Sequence, residues 1–218
     1  MANTIITEDA FQMLLRIRLD GGTMGFLSEQ KEQFKQTVTE PLKELARVLE
    51  PTIKDINPQI VTNPNKVVSR PYRDARYNLG KPPVRDFMYI FFKHELKKND
   101  PLRIHIRITP EGMFFGMGIM PVPSFMKEEH KRILANPARF INIIDNIKPN
   151  RYFKLHEDLY KKPPLTSQDA RVMEWLFRKN FWYISELSIK EALSDDLVNI
   201  LSTNLLQFKE LFNFLIFN

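Results

Sequence analysis

The chain has 218 residues, 43% of them hydrophobic and 27% charged, with 17 Phe, which is apolar area enough for a core and argues against wholesale disorder. It has no cysteine, which excludes disulfide frameworks, thiolate metal sites and a cysteine nucleophile. The 32 Lys and Arg against 26 Asp and Glu leave a net charge of +6, a balance that favours phosphate-bearing partners where the charge is clustered.

Thr7, followed by Glu8 and Asp9, predicts an N-cap and an acidic first turn for a helix carrying Phe11, Leu14, Leu15 and Arg18, ended by Asp20-Gly21-Gly22. Ser28 is expected to open a longer helical stretch in which Phe34, Val38, Leu42, Leu45 and Leu49 recur at helical spacing. Pro41 should restart or kink it and Pro51 should end it. Residues 57–66 read as a loop. The period then changes. Asp86 to Phe92 is aromatic and β-rich, and Arg103 to Ile108 alternates strictly, with three isoleucines on one face and Arg103, His105 and Arg107 on the other. A turn at Thr109 to Gly112 predicts an antiparallel hairpin with Met113 to Met120, where Gly116 and Gly118 leave one face bare.

Helices are expected again around Lys127 to Leu134 and from Asn136-Pro137, with a short strand at Arg151 to Leu155. Ser167 is expected to cap a helix running through Trp175 to Phe177, and Ser188-Ile189-Lys190-Glu191 has the capping-box pattern. A last helix carries Val198, Leu201, Leu205, Phe208, Phe212 and Leu215. No Gly/Ser/Pro-rich linker divides the chain, so one α+β domain over residues 1–218 is expected, a small antiparallel sheet from the middle packed with N-terminal and C-terminal helices. The first residues lack a basic region followed by an apolar run, and charges interrupt every hydrophobic stretch before spanning length. A cytoplasmic protein without a membrane partner is the expectation, its oligomeric state left open.

The segment Ser69 to Arg85 holds five fixed cations, Arg70, Arg73, Arg76, Lys81 and Arg85, with one carboxylate, Asp74, and two tyrosines, Tyr72 and Tyr77. Guanidinium groups held close together repel unless an anion sits among them, and their forked donors suit phosphate or carboxylate oxygens. The candidate ligand-binding residues are therefore Arg70, Arg73, Asp74, Arg76, Lys81, Arg103 and His105, the last two joining if the polar face of the strand turns toward the segment. The bland reading stands beside this one: Asp74 pairs with Arg73 or Arg76, and the other arginines cover apolar surface or face water. His94, His105, His130 and His156 lack the spacing of a metal site, and no phosphate-cradling glycine loop, dinucleotide fingerprint or serine elbow is present. No metal and no cofactor is expected. Glu111 and Asp74 are the acids worth testing for catalysis.

Three functions fit these residues. The first is a module binding a small anionic ligand or nucleic acid through the Arg/Lys cluster. The second is a hydrolase or transferase for a phosphorylated substrate, with Asp74 or His105 as acid or base. The third is a protein-interaction domain with structural arginines.

The motif Arg70-x-Tyr72-Arg73-Asp74-x-Arg76-Tyr77 with Lys81-x-Pro83, the strand pair with Gly116 and Gly118, Leu159-x-Lys161-x-Pro163-Pro164, and Glu174-Trp175-Leu176-x-x-Lys179-x-Phe181 together resemble a bacterial group, the domain of unknown function 2461 family. The resemblance implies a shared fold over nearly the whole chain and marks the basic segment as characteristic of the group. It implies no reaction.

Overall fold

The computed structural model describes residues 4–74, 76, 79–95, 101–147 and 153–216. Helices come first: α1 (Glu8–Leu19), α2 (Met24–Glu29), α3 (Lys31–Phe34), a π-helical turn over Lys35–Thr39, α4 (Glu40–Val48), α5 (Glu50–Ile56) and α6 (Pro64–Val67). The strands follow, β1 (Met88–Phe92), β2 (Leu102–Thr109) and β3 (Gly112–Ile119), then α7 (Pro123–Ala135) and α8 (Pro137–Asn146). The chain closes with β4 (Lys154–Leu159), α9 (Ala170–Leu176), β5 (Arg178–Ser188), α10 (Ile189–Ala192), α11 (Leu197–Leu206) and α12 (Lys209–Ile216). The strands form one antiparallel sheet in the order β1-β2-β3-β5-β4.

Alternation along the strands sorts the sheet into two faces. Ile104, Ile106 and Ile108 of β2, Met88, Ile90 and Phe92 of β1, and Met113, Phe115 and Met117 of β3 are fully buried on the inner face. There Phe115, Phe153 and Phe208 meet edge to face, with ring centroids 5.6 and 4.8 Å apart, close to the preferred geometry for aromatic pairs. The sheet contacts α1 through β2, α11 through β3 and α7 through β5.

Local chemistry accounts for the helix boundaries. Pro41 has no N–H to donate and its ring crowds the preceding turn, and the π-helical turn before it widens the spiral so that α4 restarts with Pro41 in its first turn. Pro51 likewise sits in the first turn of α5 and starts a helix where the sequence suggests an end. Ser28 lies inside α2, whose N-cap is Thr23 accepting from the Phe26 amide at 3.2 Å. Asp169 caps α9 by accepting from Arg171 and Val172, two residues beyond the expected Ser167, whose hydroxyl instead accepts from the Asp169 amide. The Ser188–Glu191 capping box forms as its sequence suggests. The C-terminal seam is divided between α11 and α12, and the strand expected from Arg151 begins at Lys154, its first two residues lying outside the described ones.

Two glycines are required by geometry. Gly22 has φ +69, and a Cβ there would lie 2.7 Å from the Val84 carbonyl oxygen, which accepts no crowding because the Val84 amide in turn donates to the Gly22 carbonyl at 3.0 Å. Gly116, in the middle of β3, has φ +155, and a Cβ there would collide with the Tyr183 carbonyl oxygen of β5. Left-handed backbone of this kind is nearly exclusive to glycine. Gly116→Ala is expected to cost about 2–4 kcal/mol of stability from strain and displaced pairing, read as a lowered urea midpoint with β5 amides losing hydrogen-exchange protection first.

A basic and aromatic cavity on the outer sheet face

Opposite the core, the outer face carries a cavity of about 920 Å³ whose lining comes from the strands and the residues at their ends. Strand register arranges its side chains in rows. Tyr89, Arg107, Phe114 and Glu186 lie across β1, β2, β3 and β5, and the next row is Phe91, His105, Gly116 and Ile184, continued by Lys154 on β4. The third row is Arg103, Gly118, Trp182 and His156. Gly118 leaves room for the Trp182 indole, which folds over it so closely that a Cβ would collide with the ring. His105 packs edge-on against that indole, with centroids 5.0 Å apart.

Beside the cavity, and reaching its lining through Arg107, guanidinium groups gather on a single ring. Arg73, Arg85 and Arg107 lie 5.6, 6.0 and 5.8 Å from the centroid of Phe87, and Arg107 also covers Phe114 at 4.7 Å, all within cation–π range. The loop that brings them there is pinned by backbone pairing: Arg73 donates its amide to the Pro83 carbonyl and Arg85 to the Pro71 carbonyl, both at 2.8 Å. The Arg73 side chain then donates to the carbonyls of Pro82 and Val84, both at 2.7 Å. Arg18 reaches from α1 to Asp86 at 2.6 Å and to Glu111 in the β2–β3 turn, and Arg73 stands 3.9 Å from Asp86. The contact with Arg18 draws the Glu111 carboxyl down to about 2 and raises Arg18 further above its usual range.

Arg107 and Arg85 differ from the other two. Among the described residues no carboxylate or carbonyl accepts a hydrogen bond from either guanidinium; their contacts are aromatic rings. Burial and the charge of Arg73 both lower the pKa of Arg85. Arg107 Nε is enclosed without a partner.

The residues picked out by sequence divide. Arg73 belongs to the cluster on Phe87, and His105 faces the cavity, whereas Asp74 is bound by the Arg76 side chain at 3.0 and 2.6 Å and its pKa falls accordingly. Arg70 and Lys81 are exposed. Arg103 donates to its neighbour's carbonyl, Leu102, at 2.7 Å. Tyr72 is exposed, and Tyr77 lies outside the described residues. Sequence reasoning overlooked Trp182 and Ile184, because the run Phe181-Trp182-Tyr183-Ile184 is apolar throughout and conceals the alternation that would have marked β5; Phe91 falls in the run that reads as β-rich, which by itself assigns it to no site.

A family model described as a conserved hypothetical protein, domain of unknown function 2461, matches residues 23–214. The chain belongs to this family. The matched span contains the basic segment and all five strands of the domain of unknown function 2461 fold, while α1, which supplies Arg18, precedes it. No curated protein matches the chain. Among the described residues no helix is long and apolar enough to cross a membrane.

His105 is only 5% exposed. Its Nδ1 is enclosed without a partner, and no described residue hydrogen-bonds its other ring nitrogen. Burial, seconded by the charge of Arg107, pushes its pKa down to about 3, so the imidazole is neutral at physiological pH. Below pH 6.5 the unfolded chain takes up this proton and the folded chain does not, so the stability present above pH 6.5 is lost as pH falls toward 3. The stability difference between the native chain and His105→Leu is expected to change by about 1.4 kcal/mol per pH unit between pH 6 and 4, measured by urea denaturation. A difference independent of pH contradicts a buried neutral His105.

Proposed function

We propose that this protein is a binding domain for a small anionic ligand seated on the outer face of the sheet, with Arg107 as its principal charge contact. One observation carries the reading: the Arg107 guanidinium lies 5.8 Å from the Phe87 centroid and 4.7 Å from the Phe114 centroid, in the lining of a ligand-sized cavity, with no acceptor among the described residues. A guanidinium carries five N–H donors, and a partly desolvated one lacking acceptors is costly until an anion supplies them. The charge around it points the same way. Among the described residues Asp86 and Glu111 pair with Arg18, and Asp86 also stands near Arg73, while Arg85 and Arg107 pair with no carboxylate.

A small ligand fits better than nucleic acid. Single-stranded nucleic acid needs exposed ring faces on which bases stack, but Tyr89 and Phe91 stack on each other at 4.4 Å and the Phe114 face is taken by Arg107. Glu111 and Glu186 in the lining would also repel a polyanion. The turnover reading has less support, because the Asp74 carboxylate is held by Arg76 and burial makes the His105 imidazole a weak base.

The test is calorimetric titration with inorganic phosphate, pyrophosphate, acetate and benzoate. At least one of these anions is expected to bind, more weakly at higher salt. Arg107→Gln is expected to weaken binding by about 10- to 100-fold, in line with the roughly 1.5–3 kcal/mol of a hydrogen bond to a charged group. Arg76→Gln should leave it within twofold. Binding that ignores Arg107, or none at all, overturns the proposal.

A further inference from the structure

Resting on that reading, we infer that the ligand is an aromatic acid: a flat ring carrying the anionic group that meets Arg107 and, on the ring, one neutral hydrogen-bonding group that meets His105. The inference comes from the shape of the cavity beyond Arg107. In the row Phe91–His105–Gly116–Ile184 the central position has no side chain, and the backbone at Gly116 admits none. His105 and Ile184 are therefore separated by two strand spacings, about 9.6 Å between backbones, with bare β3 backbone as the floor. Phe114 closes the gap in the row on one side. Trp182, lying over Gly118, closes it on the other. A slot with an aromatic wall at each end and peptide planes beneath accepts a ring more readily than a flexible polar chain, because flat stacking and edge contacts recover dispersion without ordering extra torsions.

Register ties the slot to the charge. His105 and Arg107 are two residues apart on one face of β2, so a group on the ring and the anionic group of the same small molecule can engage both. The uncharged state of His105 decides what its contact is. A neutral imidazole offers one donor and one acceptor, and neither ring nitrogen is satisfied by a described residue. A hydroxyl, amide or ring nitrogen on the ligand pairs with Nε2, the ring nitrogen that is not enclosed, whereas a second charged group does not gain from it.

The probes that test this are acetate and inorganic phosphate as bare anions, benzoate as ring plus anion, 4-hydroxybenzoate with the additional polar group, and benzyl alcohol as the uncharged ring. Calorimetry measures affinity, and the indole N–H resonance of Trp182 reports occupancy of the slot. Benzoate is expected to bind at least 10-fold tighter than acetate and to shift the Trp182 resonance. 4-Hydroxybenzoate is expected to bind more tightly still, and benzyl alcohol at least 10-fold more weakly than benzoate. His105→Phe should remove the advantage of 4-hydroxybenzoate over benzoate. Ile184→Trp, a change at a half-buried position that fills the slot without touching the core, should remove the advantage of benzoate over acetate while leaving acetate or phosphate binding intact, and it serves where His105→Phe does not fold.

Acetate or phosphate binding that depends on Arg107, with benzoate no tighter, overturns the aromatic-acid inference and leaves the anion-binding reading standing. Failure of every anion overturns both. Tighter benzoate binding that Ile184→Trp does not affect places the ring elsewhere and also overturns the inference.

Discussion

The pairing of β3 with β5 forbids a side chain at residue 116 and leaves no room for one at 118 beyond the Trp182 indole. Everything distinctive about the outer face depends on that constraint. A central antiparallel strand ordinarily presents a side chain at every second position on each face, and a sheet so furnished is a closed surface. Here the two missing side chains open the middle of the sheet, and the neighbouring strands adjust around the gap: Trp182 fills one vacancy, while His105 and Ile184 border the other. The core on the opposite face is untouched by this, because Met113, Phe115 and Met117 keep the strand fully buried on that side.

The second determinant is Phe87. It follows Asp86, which holds Arg18 and Arg73, and precedes Met88, which is buried in the core. Its ring is therefore fixed between the sheet and the basic loop, where three guanidinium groups approach it. The arginines are not equivalent. Arg73 closes the loop by donating from Nη1 to the Pro82 and Val84 carbonyls and stands beside Asp86, so part of its donor set is committed within the protein. Arg107 supplies donors to the cavity. The same arrangement explains the turn at Gly22, since the loop hangs on the hydrogen bond between Val84 and Gly22 and ties α1 to the site through Arg18.

Much of this fold is legible in the chain. The alternation Arg103 to Ile108 marks β2 and assigns Arg103, His105 and Arg107 to one face, and the two glycines of β3 already show a bare stripe beside it. β5 is not legible, because Phe181 to Ile184 is apolar on both faces: one side enters the core and the other lines an aromatic cavity. The break between α11 and α12 falls at Gln207-Phe208 with neither Gly nor Pro to signal it. The excess of cations from Arg70 to Arg85 is obvious in sequence. Its division into exposed Arg70 and Lys81, locally paired Arg76, and inward-facing Arg73 and Arg85 follows from long-range register between the loop's two arms, which composition does not encode.

The central claim is that Arg107 has no acceptor among the described residues and takes one from an anion. A crystal structure of the protein soaked in selenate, phased on the anomalous signal of selenium, tests it most directly. The expected result is an anomalous peak within hydrogen-bonding distance of the Arg107 guanidinium, in the cavity beside Phe114. Peaks confined to Arg70, Arg76 and Lys81 on the exposed loop, with Arg107 hydrogen-bonded to a carboxylate or carbonyl of its own chain, contradict it.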